Sequence, residues 1–371
     1  MPPRAALLVA VAAMLGPTLL AACSGADPEE AGGPSVPATS APPLEPAAPS
    51  GTPDVASPAG PVTIAFAGDV HFEGRLRERL ADPATALAPV TGALAAADLA
   101  VVNLETSIGE GGRPEPGKRF TFQAPASALA ALAAAGIDVA TMANNHAVDF
   151  GRAALGSTFA AIDAAPLAVV GLGRDVREAF RPAYADLEGT RVATIGATIA
   201  ATDPTADPTG QWAATGTRPG TADAVDPRRL LRAVGRADRT ADVVVVYVHW
   251  GVQGEACPTA RQRDLARQLV ERGADVVVGS HAHVLQGDGH LGAGYVAYGL
   301  GNYAWYQPST EPTGVLTLTV QPRPDGRASV TGAAWAPALI GADGLPRPLT
   351  GPQVAGFEAD LAQRRACAGL T

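Results

Sequence analysis

Lysine is almost missing from this chain: Lys118 stands alone among 27 basic residues, and every other one is arginine. With Ala, Gly and Pro so frequent, that pattern is a codon signature and says little about function. Positive charge is in any case the minority, 27 basic against 36 acidic side chains for a net −9. Nucleic-acid carriers, whose affinity rests on neutralising phosphates, are thereby excluded. Aromatic residues make up 5% of the sequence, too few for base-stacking platforms or membrane-interface belts. Cysteine occurs only at Cys23, Cys257 and Cys367. Beyond the first two dozen residues no segment is apolar enough to span a bilayer. What remains is a 47% apolar, 17% charged chain of 371 residues, which buries a core and makes one large domain or two ordinary ones.

Residues 1–22 read as an export signal. Arg4 precedes an apolar run from Ala5 to Leu15, Gly16 and Pro17 interrupt it, and small residues close it. Cys23 directly after Leu20-Ala21-Ala22 resembles a bacterial lipobox. That resemblance implies an acylated Cys23 and an extracytoplasmic protein lipid-anchored to the cell membrane. A plain anchor, or a cleaved signal with an incidental cysteine, is the competing reading. Residues 23–61 form a tether: Asp27 to Pro61 holds ten prolines and no aromatic residue, a composition that extends instead of folding. In an oxidising compartment Cys257 and Cys367 are free to pair as a disulfide; two buried thiols are the alternative.

The main domain is expected over 62–345, with a helical tail at 346–371. Apolar runs such as Val62-Thr-Ile-Ala-Phe-Ala, Leu99-Ala-Val-Val, Asp242-Val-Val-Val-Val-Tyr-Val and Asp275-Val-Val-Val lack alternation, as strands buried on both faces do. Another strand is expected at Asp138–Met142. Ala-rich stretches at about 84–97, 126–135, 152–164, 226–238 and 259–272 predict helices, with Gly136 and Gly273 placed to stop two of them. Strand–helix alternation on this scale predicts an α/β domain with a mainly parallel core. After Asn302, Gly314–Val320 and Ala328–Trp335 alternate and predict antiparallel edge strands.

Five of the six histidines follow predicted strands: His71, His146, His249, His281 and His283. In open α/β folds that carboxyl edge is where ligands bind. The motifs in order are Gly68-Asp69-Val70-His71, Asn103-Leu104-Glu105, Asn144-Asn145-His146-Ala147-Val148-Asp149, His249-Trp250-Gly251 and Gly279-Ser280-His281-Ala282-His283. Each alone is an ordinary loop or cap. Together they offer oxygen and imidazole donors without thiolate, which suits Mn, Fe or Zn and disfavours a structural zinc–cysteine site. His290, between Gly289 and Leu291, has no motif.

This joint set resembles the CapA family of poly-γ-glutamate capsule synthesis proteins, a branch of the calcineurin-like metallophosphoesterases. The resemblance runs from about Val62 to Tyr303 and includes Gly299-Leu-Gly-Asn302-Tyr. It implies a four-layer αββα sandwich with two divalent metal ions at the strand ends. It further implies that Asp69, His71 and His283 hold one metal, Asn145, His249 and His281 the other, and that Glu105 bridges them. His146 would then be the catalytic acid and Asp149 would orient it. Two divalent ions against the charges of Asp69 and Glu105 leave a cationic well in an acidic protein, drawing in a phosphate dianion. Glu105 stands where most of the superfamily has aspartate, and Asn144 where it has glycine; both belong to the CapA branch. A one-metal site and a two-metal site are both open to a glutamate there.

Gly112-Arg-Pro-Glu-Pro-Gly117-Lys118 has the spacing of a phosphate-binding loop, but Arg119 stands where Ser or Thr is needed, and two prolines remove amides. Phe120-Thr-Phe-Gln reads as a strand where that loop needs a helix, so the nucleotide reading is rejected; Lys118 and Arg119 are expected to be solvated loop charges, with contact to a substrate anion the alternative. The function expected is a lipid-anchored envelope protein of poly-γ-glutamate synthesis with a phosphoesterase site, acting on a phosphoester or holding polyglutamate within a membrane-bound synthase complex. A noncatalytic scaffold of such a complex, or a secreted phosphatase or nucleotidase with Trp250, Trp305 and Tyr306 as aromatic clamp candidates, are the rivals.

Overall fold

The computed structural model describes residues 60–206, 212–322 and 327–370, all within one compact unit. The signal and most of the tether, with Cys23, lie outside the described residues. Two sheets of eight and six strands dominate. The larger runs Pro346–Pro348, Ser329–Ile340, Pro312–Gln321, Val62–Val70, Leu99–Leu104, Val139–Thr141, Ala168–Val170, with Asn302–Ala304 added beside the end of Val62–Val70. The smaller runs Asp288–Leu291, Gly294–Ala297, Val276–His281, Val243–Trp250, Thr190–Thr198, Ala183–Leu187. In the larger sheet pairing is parallel from Val62–Val70 out to the edge strand Ala168–Val170 and antiparallel on the other side, through Pro312–Gln321 to Pro346–Pro348; the smaller sheet is parallel at its centre, as between Val243–Trp250 and Val276–His281, and antiparallel at both margins.

The unbroken apolar runs follow from a side-chain period of two with both faces buried. From Val62–Val70, Ile64 and Phe66 meet Val243, Val245 and Tyr247 of the other sheet in a central apolar layer. Ala65, Ala67 and Val70 turn the other way, onto Leu94, Leu129 and Leu132 of the outer helices. Val244, Val246 and Val248 likewise turn away from the centre, onto Leu230, Val234, Leu265 and Leu269. Three apolar layers therefore separate helices, sheet, sheet and helices: an α/β sandwich of four layers. Each fully buried Val, Leu or Phe side chain contributes roughly 1.5–3 kcal/mol. The Tyr247 hydroxyl spans the central layer to donate to the Ala67 carbonyl at 2.9 Å.

Helices form at Ser127–Ala134, Leu155–Asp163, Arg228–Ala237 and Ala260–Arg272. The last is closed by a capping box between Thr259 and Gln262 and ended by Gly273 at φ 118°, a conformation glycine adopts without a Cβ clash. Two expectations are corrected and one strand was not expected. Pro312–Gln321 is an interior strand, not an edge, because it pairs with both Val62–Val70 and Ser329–Ile340. The segment from Phe120 forms only the two-residue strand Gln123–Ala124. Thr190–Thr198, rich in Thr, Ala and Gly, is a nine-residue buried strand without a long β-branched apolar run to announce it.

At the carboxyl end, helix Pro352–Ala368 packs Phe357 and Leu361 on Leu285. Arg364 donates to the Leu285 carbonyl and pairs with Asp360 at 2.6 Å. A disulfide joins Cys367 to Cys257, with Cα atoms 5.7 Å apart. The helix thus buttresses the segment that follows His281 and His283.

Candidate metal centre

The strands of both sheets deliver polar residues to one edge. Asp69 lies opposite Asn103 in parallel register, and His249 lies opposite Ser280. Gly68 is required where the Asn302–Ala304 segment approaches, since a Cβ there would stand 1.8 Å from the Gly301 carbonyl oxygen. The Asp69 amide donates to that same oxygen at 2.9 Å. Gly279 is required for a similar reason: its Cβ would stand 2.1 Å from Trp250 Nε1, which donates to the Tyr298 carbonyl at 2.7 Å. His281 and His283 have φ of 93° and 58°, left-handed backbone that costs a non-glycine residue on the order of 1–3 kcal/mol and clusters at functional sites.

Two groups of donor atoms converge within 4.8 Å of one another: Asp69, Glu105 and His283, and Glu105, His249 and His281. Glu105 belongs to both. Its two carboxylate oxygens are buried without a hydrogen-bond partner, an arrangement that costs heavily unless a cation satisfies it. Burial first, then the neighbouring Asp69 charge, push its carboxyl well above the usual glutamate range. Asp69 goes the other way: burial opposes its charge, but His283 and His249 hold it well below the ordinary carboxylate value. Burial lowers His249 to about 3 and His281 to about 4, so both rings are neutral with lone pairs to offer. For His283 burial is overridden by Glu105 and Asp69, which raise it to about 9. Buried carboxylates, the neutral rings of His249 and His281 and a shared glutamate without a hydrogen-bond partner fit divalent cations.

Supporting side chains orient these donors. Asn103 donates to Asp69 at 2.7 Å, and Asn144 donates to Asn103 Oδ1 at 3.0 Å. His249 Nδ1 meets Ser280 Oγ at 3.0 Å, and its Nε2 lies 2.7 Å from Asn145 Oδ1. Asn302 Oδ1 accepts from His283 Nδ1 at 2.7 Å, and that same nitrogen lies 3.4 Å from Asp69 Oδ2, so Asn302 sets the ring's orientation toward the cluster. His281 Nε2 lies 3.0 Å from Asp203.

His146 is placed beside the cluster, with Nε2 3.8 Å from Glu105. Its Nδ1 lies 2.7 Å from Asp149 Oδ2 and its ring stacks on Phe122 at 4.3 Å. Burial, then Lys118, hold its imidazole well below the ordinary value. Asp149 also accepts from the Phe122 amide at 2.6 Å and from Lys118 Nζ.

The structure brings together Asp69, Glu105, Asn145, His146, Asp149, His249, His281 and His283. His71 is adjacent but outside both donor groups: its Nε2 accepts from the Tyr306 amide at 3.0 Å, while its buried Nδ1 has no hydrogen-bond partner. Lys118 corrects the expectation of a solvated charge. Its side chain is 1% exposed, donates to Asp149 and the Asn145 carbonyl, and lies over the Trp212 ring at 4.3 Å. Arg119 lines a cavity of about 240 Å³ beside the cluster with Phe120, Phe122, His146, Trp305 and Tyr306. Trp250 is core, and exposed His290 stacks edge-on to Tyr295 at the far strand. Asp203 was missed because it follows Thr190–Thr198, the strand that carried no signal; Ala201-Thr-Asp203-Pro repeats the strand-then-polar-loop layout that would have exposed it.

The family described as "Bacterial capsule synthesis protein PGA_cap" matches residues 63–307, the segment that contains every member of both donor groups. The chain belongs to the PGA_cap family. It is 32% identical over 237 residues to the capsule biosynthesis protein CapA of Bacillus anthracis, covering 63% of this chain and 55% of that one. It is 31% identical over 196 residues to the PGA biosynthesis protein CapA of Bacillus subtilis strain 168, covering 52% and 50%. The chain thus spans about half the length of these curated relatives. Among solved structures, one described as a novel phosphatase from Mycoplasma pneumoniae aligns at 14% identity and TM-score 0.46, over 75% of this chain and 94% of that one. This PGA_cap member carries its clusters on the fold its strand-end motifs imply.

Proposed function

We propose that this PGA_cap protein is an envelope accessory of poly-γ-glutamate synthesis with a divalent-metal phosphoesterase site, held to the membrane by a lipid on Cys23. The observation that supports it most is Glu105, enclosed, with neither oxygen hydrogen bonded, and common to two donor groups. Asp69 and His283 would hold one cation, with His71 Nδ1 at hand; His249, His281 and Asn145 would hold a second, with Glu105 between. Such cations supply Lewis acidity toward a phosphoryl oxygen.

The chain's own residues would do the rest. Asp149 keeps the proton on His146 Nδ1, so Nε2 is the atom that faces the cluster and exchanges a proton with a leaving oxygen. Lys118 neutralises Asp149 in its buried setting. Asn103 and Asn144 fix Asp69 and the loop of His146, and Arg119 at the cavity mouth offers charge to an entering anion.

The test is elemental analysis and hydrolysis of p-nitrophenyl phosphate and its bis-ester by the full chain in detergent. About two metals per chain are expected, with His146→Ala lowering kcat by about 10²-fold or more at unchanged metal content. Bound metal without turnover would leave a noncatalytic scaffold. Cys23→Ser should release the protein from the membrane fraction; retention there would remove the lipid anchor.

A further inference from the structure

A net charge of −9 opposes contact with an acidic polymer, yet the outer helical layer carries a strongly basic groove. Helix Arg228–Ala237 presents Arg229, Arg232 and Arg236, spaced three and four residues apart and therefore on one face. Across from it, helix Val176–Ala179 and the residues after it contribute Arg177 and Arg181, with Phe180 beneath, around a groove of about 460 Å³. The nearby carboxylates are already engaged. Glu178 pairs with Arg174 at 2.6 Å and Arg181 at 3.4 Å, and Asp226 pairs with Arg228 at 2.5 Å. Asp175 accepts the Arg177 and Glu178 amides as the helix cap. Among the described residues, Arg177, Arg229, Arg232 and Arg236 form no ion pair within 4.0 Å.

We propose that this arginine groove is the binding track for a linear polycarboxylate, the polymer of the family reading above, on which the identity of the occupant rests. Arginine's planar fork matches carboxylates bidentately, and its charge persists at every physiological pH. The helical rise sets Arg229, Arg232 and Arg236 roughly 4.5 and 6 Å apart along the axis. A γ-linked glutamate repeat of five backbone bonds advances by roughly 6 Å when extended, and the odd bond count turns successive carboxylates to opposite sides, so they alternate between the wall of Arg229, Arg232 and Arg236 and the facing wall of Arg177 and Arg181. A lipid surface fits less well: the groove is concave, and none of the exposed large apolar side chains, Phe120, Tyr184 and Val225, lines it. Charge held here keeps the polymer contact apart from the metal centre, whose ligands need not engage the chain.

The experiment titrates fluorescent poly-γ-glutamate, and separately anionic phospholipid vesicles, with the full chain in detergent or nanodiscs. It compares wild type with the Arg229→Gln/Arg232→Gln/Arg236→Gln variant, with and without EDTA, over a salt series. Expected are salt-sensitive polymer binding that survives EDTA and a loss of about tenfold or more in the variant, with an unchanged unfolding midpoint. Equal polymer affinity in the variant, no polymer binding at all, or binding abolished by EDTA would each overturn the assignment. So would a variant that loses only vesicle binding, which would make the groove a lipid contact. Metal content and p-nitrophenyl phosphate turnover on the same preparations report the metal-centre reading separately, so either can fail without the other.

Discussion

Replacing Glu105 by glutamine distinguishes a cation ligand from a packing residue. In metal-free protein the side chain is enclosed, neither oxygen is hydrogen bonded, and burial with Asp69 holds the carboxyl well above its ordinary value. The folded apo protein therefore favours the neutral acid, and glutamine substitutes one neutral group of similar size for another. With a chelator present the change in stability is expected to stay within about 1 kcal/mol. With a divalent cation at about a hundred times its dissociation constant, wild type gains about 2.7 kcal/mol by mass action. For a folded body of roughly 300 residues that raises the unfolding midpoint by about 4 °C. Glu105→Gln leaves one neutral oxygen where a carboxylate common to both donor groups stood, and should forfeit most of that rise. The assay is a four-corner set of thermal melts, wild type and variant, with Mn²⁺ or Zn²⁺ and with EDTA. An equal drop in both conditions would refute the ligand argument and make Glu105 a structural residue.

Other outcomes follow from the same geometry. Asp275 accepts the Val244 amide at 2.8 Å and the Ala328 amide at 3.1 Å, and burial raises its carboxyl to about 6. Because the folded state keeps this proton where the unfolded chain has released it, stability should fall as pH climbs from about 4 to about 6, by about 3 kcal/mol in all. Asp275→Asn should flatten that stretch of a urea-derived stability curve; an unaltered slope contradicts the assignment. Gly279→Ala forces a Cβ to 2.1 Å from Trp250 Nε1 and 2.5 Å from the Tyr298 carbonyl, at a cost of about 1–3 kcal/mol of overpacking. Metal uptake should weaken with it, since His281 is two residues on; wild-type melting and metal content together would dismiss the close contact. Cys257 and Cys367 are 110 residues apart, so opening their bridge with Cys257→Ser should cost up to about 5 kcal/mol on the chain-entropy account. Reductant should lower the wild-type midpoint and leave the variant unmoved; a response in both would place the effect elsewhere.

The strands at Val62, Leu99, Val243 and Val276 were legible because a run apolar at every position has one economical home, between two apolar layers. The site motifs were legible because they sit where those runs stop. Legibility failed where burial relied on small residues: Thr190–Thr198 is built from Thr, Ala and Gly with single Arg, Val and Ile residues, and Asp203 was lost with it. It failed for Lys118 too, since a lysine in a Gly- and Pro-rich loop looks solvated until Asp149 and Trp212 are seen around it.

Local pattern was enough to place these polar side chains where strands end, because the period of a strand and the stop of an apolar run are properties of neighbouring residues. Which of those side chains meet was settled by packing. Asp69 and His281 are 212 residues apart, yet the His281 amide donates to Asp69 at 3.3 Å. That contact depends on the register of two separate sheets and on the central apolar layer that sets them face to face. No short stretch of chain encodes the sum of those distances. The same packing left His71 outside the donor groups and drew Lys118 in, since whether a loop residue faces water or the cluster is fixed by what the rest of the chain places around it.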